Sequence, residues 1–117
     1  MNKNLLFEGS YLHINGIETA ISKSDLEQIL NDEIKPEPVR LNDSWLVKFG
    51  FKQEIGHWTL HHSEKQRVQV IIANQDVIKI EFMFENDGYT FWHTNIDGVH
   101  VLQGLYKDRY GKMLVKI

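Results

Sequence analysis

Between residues 57 and 94, apolar and polar residues alternate in four runs, HWTLHH, RVQVIIA, VIKIEFMF and YTFWHT, broken by SEK, NQD and ENDG. A period of two marks half-buried strands, and turn-forming breaks between the runs predict an antiparallel meander. Parity then sets the register. An odd loop pairs residues whose numbers sum to an even value, and a slip of one residue would turn every side chain to the other face. A three-residue loop Asn74-Gln75-Asp76 pairs Val68 with Phe82, Val70 with Ile80 and Ile72 with Ile78. A two- or four-residue loop within Glu85 to Gly88 keeps Phe82 and Phe84 on one face with Phe91 and Tyr89. Trp58 and Leu60 join that face if Ser63-Glu64-Lys65 is also a three-residue loop. The second face is mixed, with Thr59, His61, Gln69, Ile71, Lys79, Glu81, Met83, Thr90 and Trp92. Either the N-terminal hairpin covers part of it or it is a platform for a partner, and Trp92 is the residue that decides.

The flanking segments follow other patterns. Residues 10–22 read as a hairpin, because Asn15-Gly16 supplies the two positive-φ positions of a type I′ turn. That pairs Ile14 with Ile17, Leu12 with Thr19 and His13 with Glu18. Ser24 followed by Glu27 is a capping box for a helix near 24–31, with Leu26, Ile29 and Leu30 on one side. Lys35-Pro-Glu-Pro38 must run extended. In RLNDSWLVKFGF, Asn42 is an N-cap, Asp43 meets the positive end of the helix dipole, and Gly50 suits a left-handed stop. A short helix near 43–49 then aims Trp45 and Phe49 into a core. Asp97 caps a last helix near 98–110 with the stripe Val99, Leu102, Leu105 and Tyr106. Gly104 in its interior costs about 1 kcal/mol relative to alanine, which predicts close packing against another element. The tail KMLVKI adds an edge strand or stays loose.

Length and composition narrow the functional classes. One domain is expected from 117 residues, of which 42% are apolar and 25% charged, and no apolar run is long enough to cross a bilayer. Without cysteine there are no disulfides, thiolate metal sites or thiol nucleophiles. The start MNKNLLFEGS lacks the apolar core of a secretory signal, so a cytoplasmic protein is expected. Thirteen basic against sixteen acidic residues, net −3, do not favour phosphate backbones. The acids cluster in one run, Asp25, Glu27, Asp32, Glu33 and Glu37, which is either a solvated face or an electrostatic docking patch.

Catalytic and metal chemistry find little support. His57 and His61 on a strand share a face but stand roughly 13 Å apart at about 3.3 Å per residue, and His62 points the other way. His93, beside Ile80 on the apolar face, reads as a core histidine. His13 opposite Glu18 reads as a cross-strand surface pair. No phosphate loop or HExxH is present, so no metal, cofactor or catalytic residue is expected. A pocket gathering His57, His61 or His93 with a carboxylate would reopen hydrolysis.

Two segments resemble a known group. Pro36 to Phe51, PEPVRLNDSWLVKFGF, is similar to the PxPLTxxWLxKFGF block of small uncharacterised proteins from phages and integrated elements of Bacteroidetes. Val99 to Tyr106, VHVLQGLY, with Gly111-Lys112 resembles their VHxLQxLYxxxxGK helix. Departures are Asn42 where the cap is usually Thr, Gly104 where Asn is usual, and Asp108-Arg109-Tyr110 in a normally more apolar stretch. The group has no assigned activity; the resemblance implies a mobile-element accessory protein. Proteins of that class often bind and block a host protein, CRISPR effectors included. The expectation is therefore a single α+β domain, an antiparallel meander of about four to six strands with short helices on one face. Its expected role is non-enzymatic binding of a host protein, an anti-CRISPR-like inhibitor of antiviral defence, with Asp25, Glu27, Asp32, Glu33, Glu37, Glu81 and Trp92 as contact candidates. The alternative is a small nucleic-acid-associated protein using the second sheet face and the basic C-terminal end. Membrane partners are not expected.

Overall fold

The computed structural model describes residues 1–73, 76–84, 89–94 and 96–117. In chain order the described elements are a short 3-10 helix Lys3–Leu5, β1 Tyr11–Ile14, β2 Ile17–Ala20, α1 Lys23–Leu30, β3 Glu37–Pro38, α2 Asp43–Lys48, β4 Lys52–Glu54, β5 His57–Ser63, β6 Gln66–Ala73, β7 Asp76–Phe84, β8 Tyr89–His93 and α3 Val99–Tyr110. The fold is α+β, with antiparallel sheets of three and five strands. Two compact units are formed, each from separated stretches of chain: residues 1–40 with 97–113, and residues 41–96 with 114–117. No helix among the described residues is long and apolar enough to cross a membrane.

The first unit holds the sheet β2-β1-β3. Asn15 and Gly16 both adopt positive φ, and Leu12 faces Thr19, His13 faces Glu18 and Ile14 faces Ile17, the register that the Asn-Gly turn predicts. β3 is the extended Pro-Glu-Pro segment, which pairs Pro38 with Leu12 and Glu37 with His13 along the other side of β1. Leu6, Leu12, Ile21 and Ile29 form a buried cluster, with Ile14, Leu26 and Ile34 packed against it. The capping box of α1 lies two residues earlier than the Ser24–Glu27 pair expected from the sequence. Ser22 accepts from the Asp25 amide, and the Asp25 carboxylate accepts from the Ser22 amide. The helix ends in a Schellman closure. The Glu33 amide donates to Gln28 O and the Asp32 amide to Ile29 O, with Asp32 in the left-handed position.

α3 departs further from its expected amphipathic form. Not one stripe but every residue from Val99 to Tyr106 is buried. Asp97 does not cap it; the N-cap is Gly98, without a side-chain cap, and the Val99 amide donates to Val39 O at 2.7 Å. Two polar features make this burial possible. Gln103 accepts from the Tyr11 amide at 2.8 Å and donates to Gly9 O at 3.1 Å, so its buried amide is satisfied at both ends. Gly104 lets the 3-10 helix approach: a Cβ there would lie 2.5 Å from the Leu5 carbonyl oxygen and 2.7 Å from Leu5 Cβ.

The second unit holds the sheet β4-β5-β6-β7-β8. Val68 faces Phe82, Val70 faces Ile80, and Trp58 and Leu60 face Val70 and Val68, as the alternation predicts. Phe82 faces Phe91 and Phe84 faces Tyr89. Both hairpin ends refine the parity argument. At β5–β6 the register shifts between His61 and Ser63, leaving a two-residue turn Glu64-Lys65 with His62 as the extra residue. At β6–β7 Ile72 faces Val77, not Ile78, because the ladder shifts there too. At β5–β6 the two-residue turn with its bulge keeps the parity of a three-residue loop along the rest of the ladder. Residues 74 and 75 of the first loop, and the whole of 85–88, lie outside the described residues. α2 is bounded as its sequence implies. Asn42 accepts from the Trp45 amide, while the Phe51 amide donates to Leu46 O and the Gly50 amide to Val47 O, with Gly50 at positive φ. The tail adds no strand; the Ile117 amide donates to Lys48 O at 2.8 Å, and Lys116 lies 4.7 Å over the Trp45 ring.

Replacing Gly104 by alanine should destabilise the protein by about 1–3 kcal/mol despite alanine's better helix propensity, because the obstructing atoms include backbone. Urea denaturation of the two proteins measures the difference; an alanine variant as stable as the parent would refute the close approach.

Candidate functional site

Part of the acidic run is engaged in local structure. Asp25 is engaged in the α1 capping box. Asp32 occupies the left-handed closure of α1 and pairs with Lys3. Glu37 stands on β3 opposite His13. Glu27 and Glu33 are exposed and leave the run with two carboxylates that have no structural duty in α1. A cleft of about 440 Å³ lies at the end of the run, lined by Met1, Lys3, Asp32, Ile34, Lys35, Pro36, Glu37, Pro38 and Asp97. Its three carboxylates, Asp32, Glu37 and Asp97, are mixed with Lys3 and Lys35, so its lining is not of one charge sign.

In the second unit the second sheet face converges on Trp92. Its ring is 61% exposed. Trp92 faces Glu81 across the β7–β8 ladder, and the Lys79 ammonium sits 5.4 Å from the ring centre. Lys79 also pairs with Glu81 at 2.6 Å. A cation over an exposed indole contributes about 0.5–1 kcal/mol, enough to bias the ring's orientation. The second-face residues therefore divide: Thr59 is buried, Gln69, Ile71, Lys79, Glu81 and Met83 are half-buried, and His61, Thr90 and Trp92 are exposed. The Trp92 end is an aromatic surface stiffened by one ion pair.

His57 gains a carboxylate partner that the sequence did not reveal, because β4 was not foreseen. Its Nε2 lies 2.9 Å from Glu54, beside a cleft of about 150 Å³ lined by Asp43, Gln53, Glu54, Gly56, His57, Trp58 and Ile72. The pair could orient an imidazole base. No hydroxyl or thiol side chain lines this cleft among the described residues, so it lacks the nucleophile of a triad. Among the described residues, no group of three or more His, Asp or Glu side chains could hold a metal ion.

The polar side chain least anticipated by the sequence is His100. It is fully buried in the first turn of α3, and neither ring nitrogen has a hydrogen-bond partner. Nε2 lies 3.6 Å from the Asp97 carboxylate, which lines the larger cleft. The available signal is the i, i+3 spacing of Asp97 and His100 at the helix start.

Against family models, curated proteins and solved structures, the chain finds no match.

Burial holds the His100 pKa below its ordinary 6.5, against the raising pull of Asp97, while the N-terminal ammonium lowers it further. The unfolded chain therefore takes up this proton before the folded one does. The penalty is absent well above pH 6.5 and grows as pH falls through that value. Urea midpoints at pH 7.5 and 5.5 should fall more for the parent than for His100→Leu; equal falls would refute the assignment.

Proposed function

We propose that this chain is a non-enzymatic accessory protein of a phage or mobile element that binds a host protein through the Trp92 end of its five-stranded sheet. The observation that carries this reading is the exposed indole beside the Lys79–Glu81 pair. Tryptophan is among the residues most enriched at binding hot spots, because one ring buries a large area with few rotatable bonds. Its immediate polar neighbours are already paired, so docking there need not strip water from an uncompensated charge. This favours a protein partner over nucleic acid at the Trp92 end: Lys79, the cation over the indole, is paired with Glu81, while the other bases of this face, Lys52 and Arg67, stand on strands further from β8. The resemblance to mobile-element proteins supplies the partner class, a host defence protein such as a CRISPR effector, and the expected consequence is inhibition.

Affinity capture from native or infected host cells, followed by mass spectrometry, identifies the partner. Trp92→Ala should then weaken its binding by more than about 30-fold, the scale of a hot-spot residue, while thermal stability stays close to the parent's. Charge reversal at Glu27 and Glu33 tests the acidic run without disturbing the cap at Asp25 or the turn at Asp32. Undiminished binding by Trp92→Ala would reject the sheet as the contact surface, and loss only in the glutamate variant would transfer the assignment to α1.

A further inference from the structure

A sheet edge presents unpaired amide and carbonyl groups, and proteins protect such edges with charge, proline or short length. The four edges of the two sheets differ in this respect. β2 carries Glu18, β3 has two residues of which one is Pro38, and β4 is the exposed three-residue stretch Lys52-Gln53-Glu54. β8, YTFWH, is five residues long and contains no proline, lysine, arginine, aspartate or glutamate. No strand among the described residues pairs with its outer side. It also presents apolar side chains on both faces, with Phe91 39% and Trp92 61% exposed.

We propose that β8 pairs antiparallel with β8 of a second copy of this chain, about a two-fold axis at Phe91. Phe91 is the middle residue of the strand, so pairing centred there engages its whole length. Within one copy Phe82 faces Phe91 and Met83 faces Thr90. Across the axis Phe91 meets Phe91 of the second copy, which continues the row into four phenylalanines. On the other face Trp92 meets Thr90 of the second copy. No charged side chains come opposite one another in β8, and one strand further in Lys79 and Glu81 already neutralise each other. The edge is self-complementary in charge, in apolar character and in backbone hydrogen bonding, which an isologous contact requires. A five-residue strand is a small interface, so the association is weak and concentration-dependent. This inference does not depend on the host partner, because the pairing uses the edge of the sheet.

Sedimentation velocity on the purified full chain, between about 10 µM and about 1 mM, should show a dimer growing with concentration, as expected for a weak dissociation constant. Phe91→Lys and Phe91→Glu should each be monomeric, since the axis places each charge against its own copy. An equimolar mixture of the two should dimerise again. Thr90→Lys, at an exposed position, provides a variant with little risk to folding and should reduce the dimer at least tenfold. A parent that stays monomeric throughout, a dimer insensitive to Thr90→Lys, or folded Phe91 variants whose mixture remains monomeric would each overturn the proposal.

Discussion

The register of β6 against β7 decides what the five-stranded sheet hides and what it shows. Val68 against Phe82 and Val70 against Ile80 place four fully buried side chains in two adjacent rows. Burial at about 1.5–3 kcal/mol for each large apolar side chain makes a one-residue slip untenable, because it would bring Gln69, Lys79 and Glu81 inward in their place. The bulges at the ends of β5–β6 and β6–β7 protect this register. They reconcile the register at each hairpin end with the odd-loop parity that the ladder bodies require. The same constraint carries through β7 to β8, where Phe82 facing Phe91 leaves Trp92 on the opposite side. The exposed indole is thus a consequence of core packing one strand away.

The first unit is organised differently, around a helix that is buried on all sides for two turns. An amphipathic stripe would have needed only Val99, Leu102, Leu105 and Tyr106 inside. Burying the intervening positions requires residues that do not leave unsatisfied groups or occupy too much space. Gln103 meets the first condition by bonding to the backbone at Tyr11 and Gly9, and Gly104 meets the second by omitting a side chain where Leu5 passes. His100 does not meet the first, since its nitrogens have no hydrogen-bond partner. An interior that tolerates such a group does so by keeping the imidazole neutral, which ties the stability of this unit to pH.

Period, the Asn-Gly turn and the bounds of α2 were legible because each depends on residues close in sequence, whereas the caps expected at Ser24 and Asp97 are displaced to Ser22 and Gly98. Asn15-Gly16 specified its turn, Asn42 and Gly50 bounded α2, and alternation aligned β5 to β8. What could not be read depended on distant neighbours or on competition between near-equivalent local choices. Ser22 with Asp25 and Ser24 with Glu27 are comparable caps in sequence, and the structure uses the earlier one. β4 has no apolar alternation, so only pairing with β5 reveals it. Burial around α3 depends on the approach of Leu5 from the other end of the unit.

The candidate surfaces show the same division. Charge density in the sequence pointed to Asp25 through Glu37, yet a carboxylate can serve a cap, a turn or a lysine as readily as a partner. In the folded chain Asp25 and Asp32 do serve these roles. Trp92 differed because its position followed from parity, and its local contact with Lys79 still leaves it 61% exposed. Charge count alone therefore does not separate carboxylates with a local duty, such as Asp25 and Asp32, from exposed ones such as Glu27 and Glu33. An aromatic displaced from the core by strand register is a stronger lead, since nothing within the ladder requires it to be tryptophan.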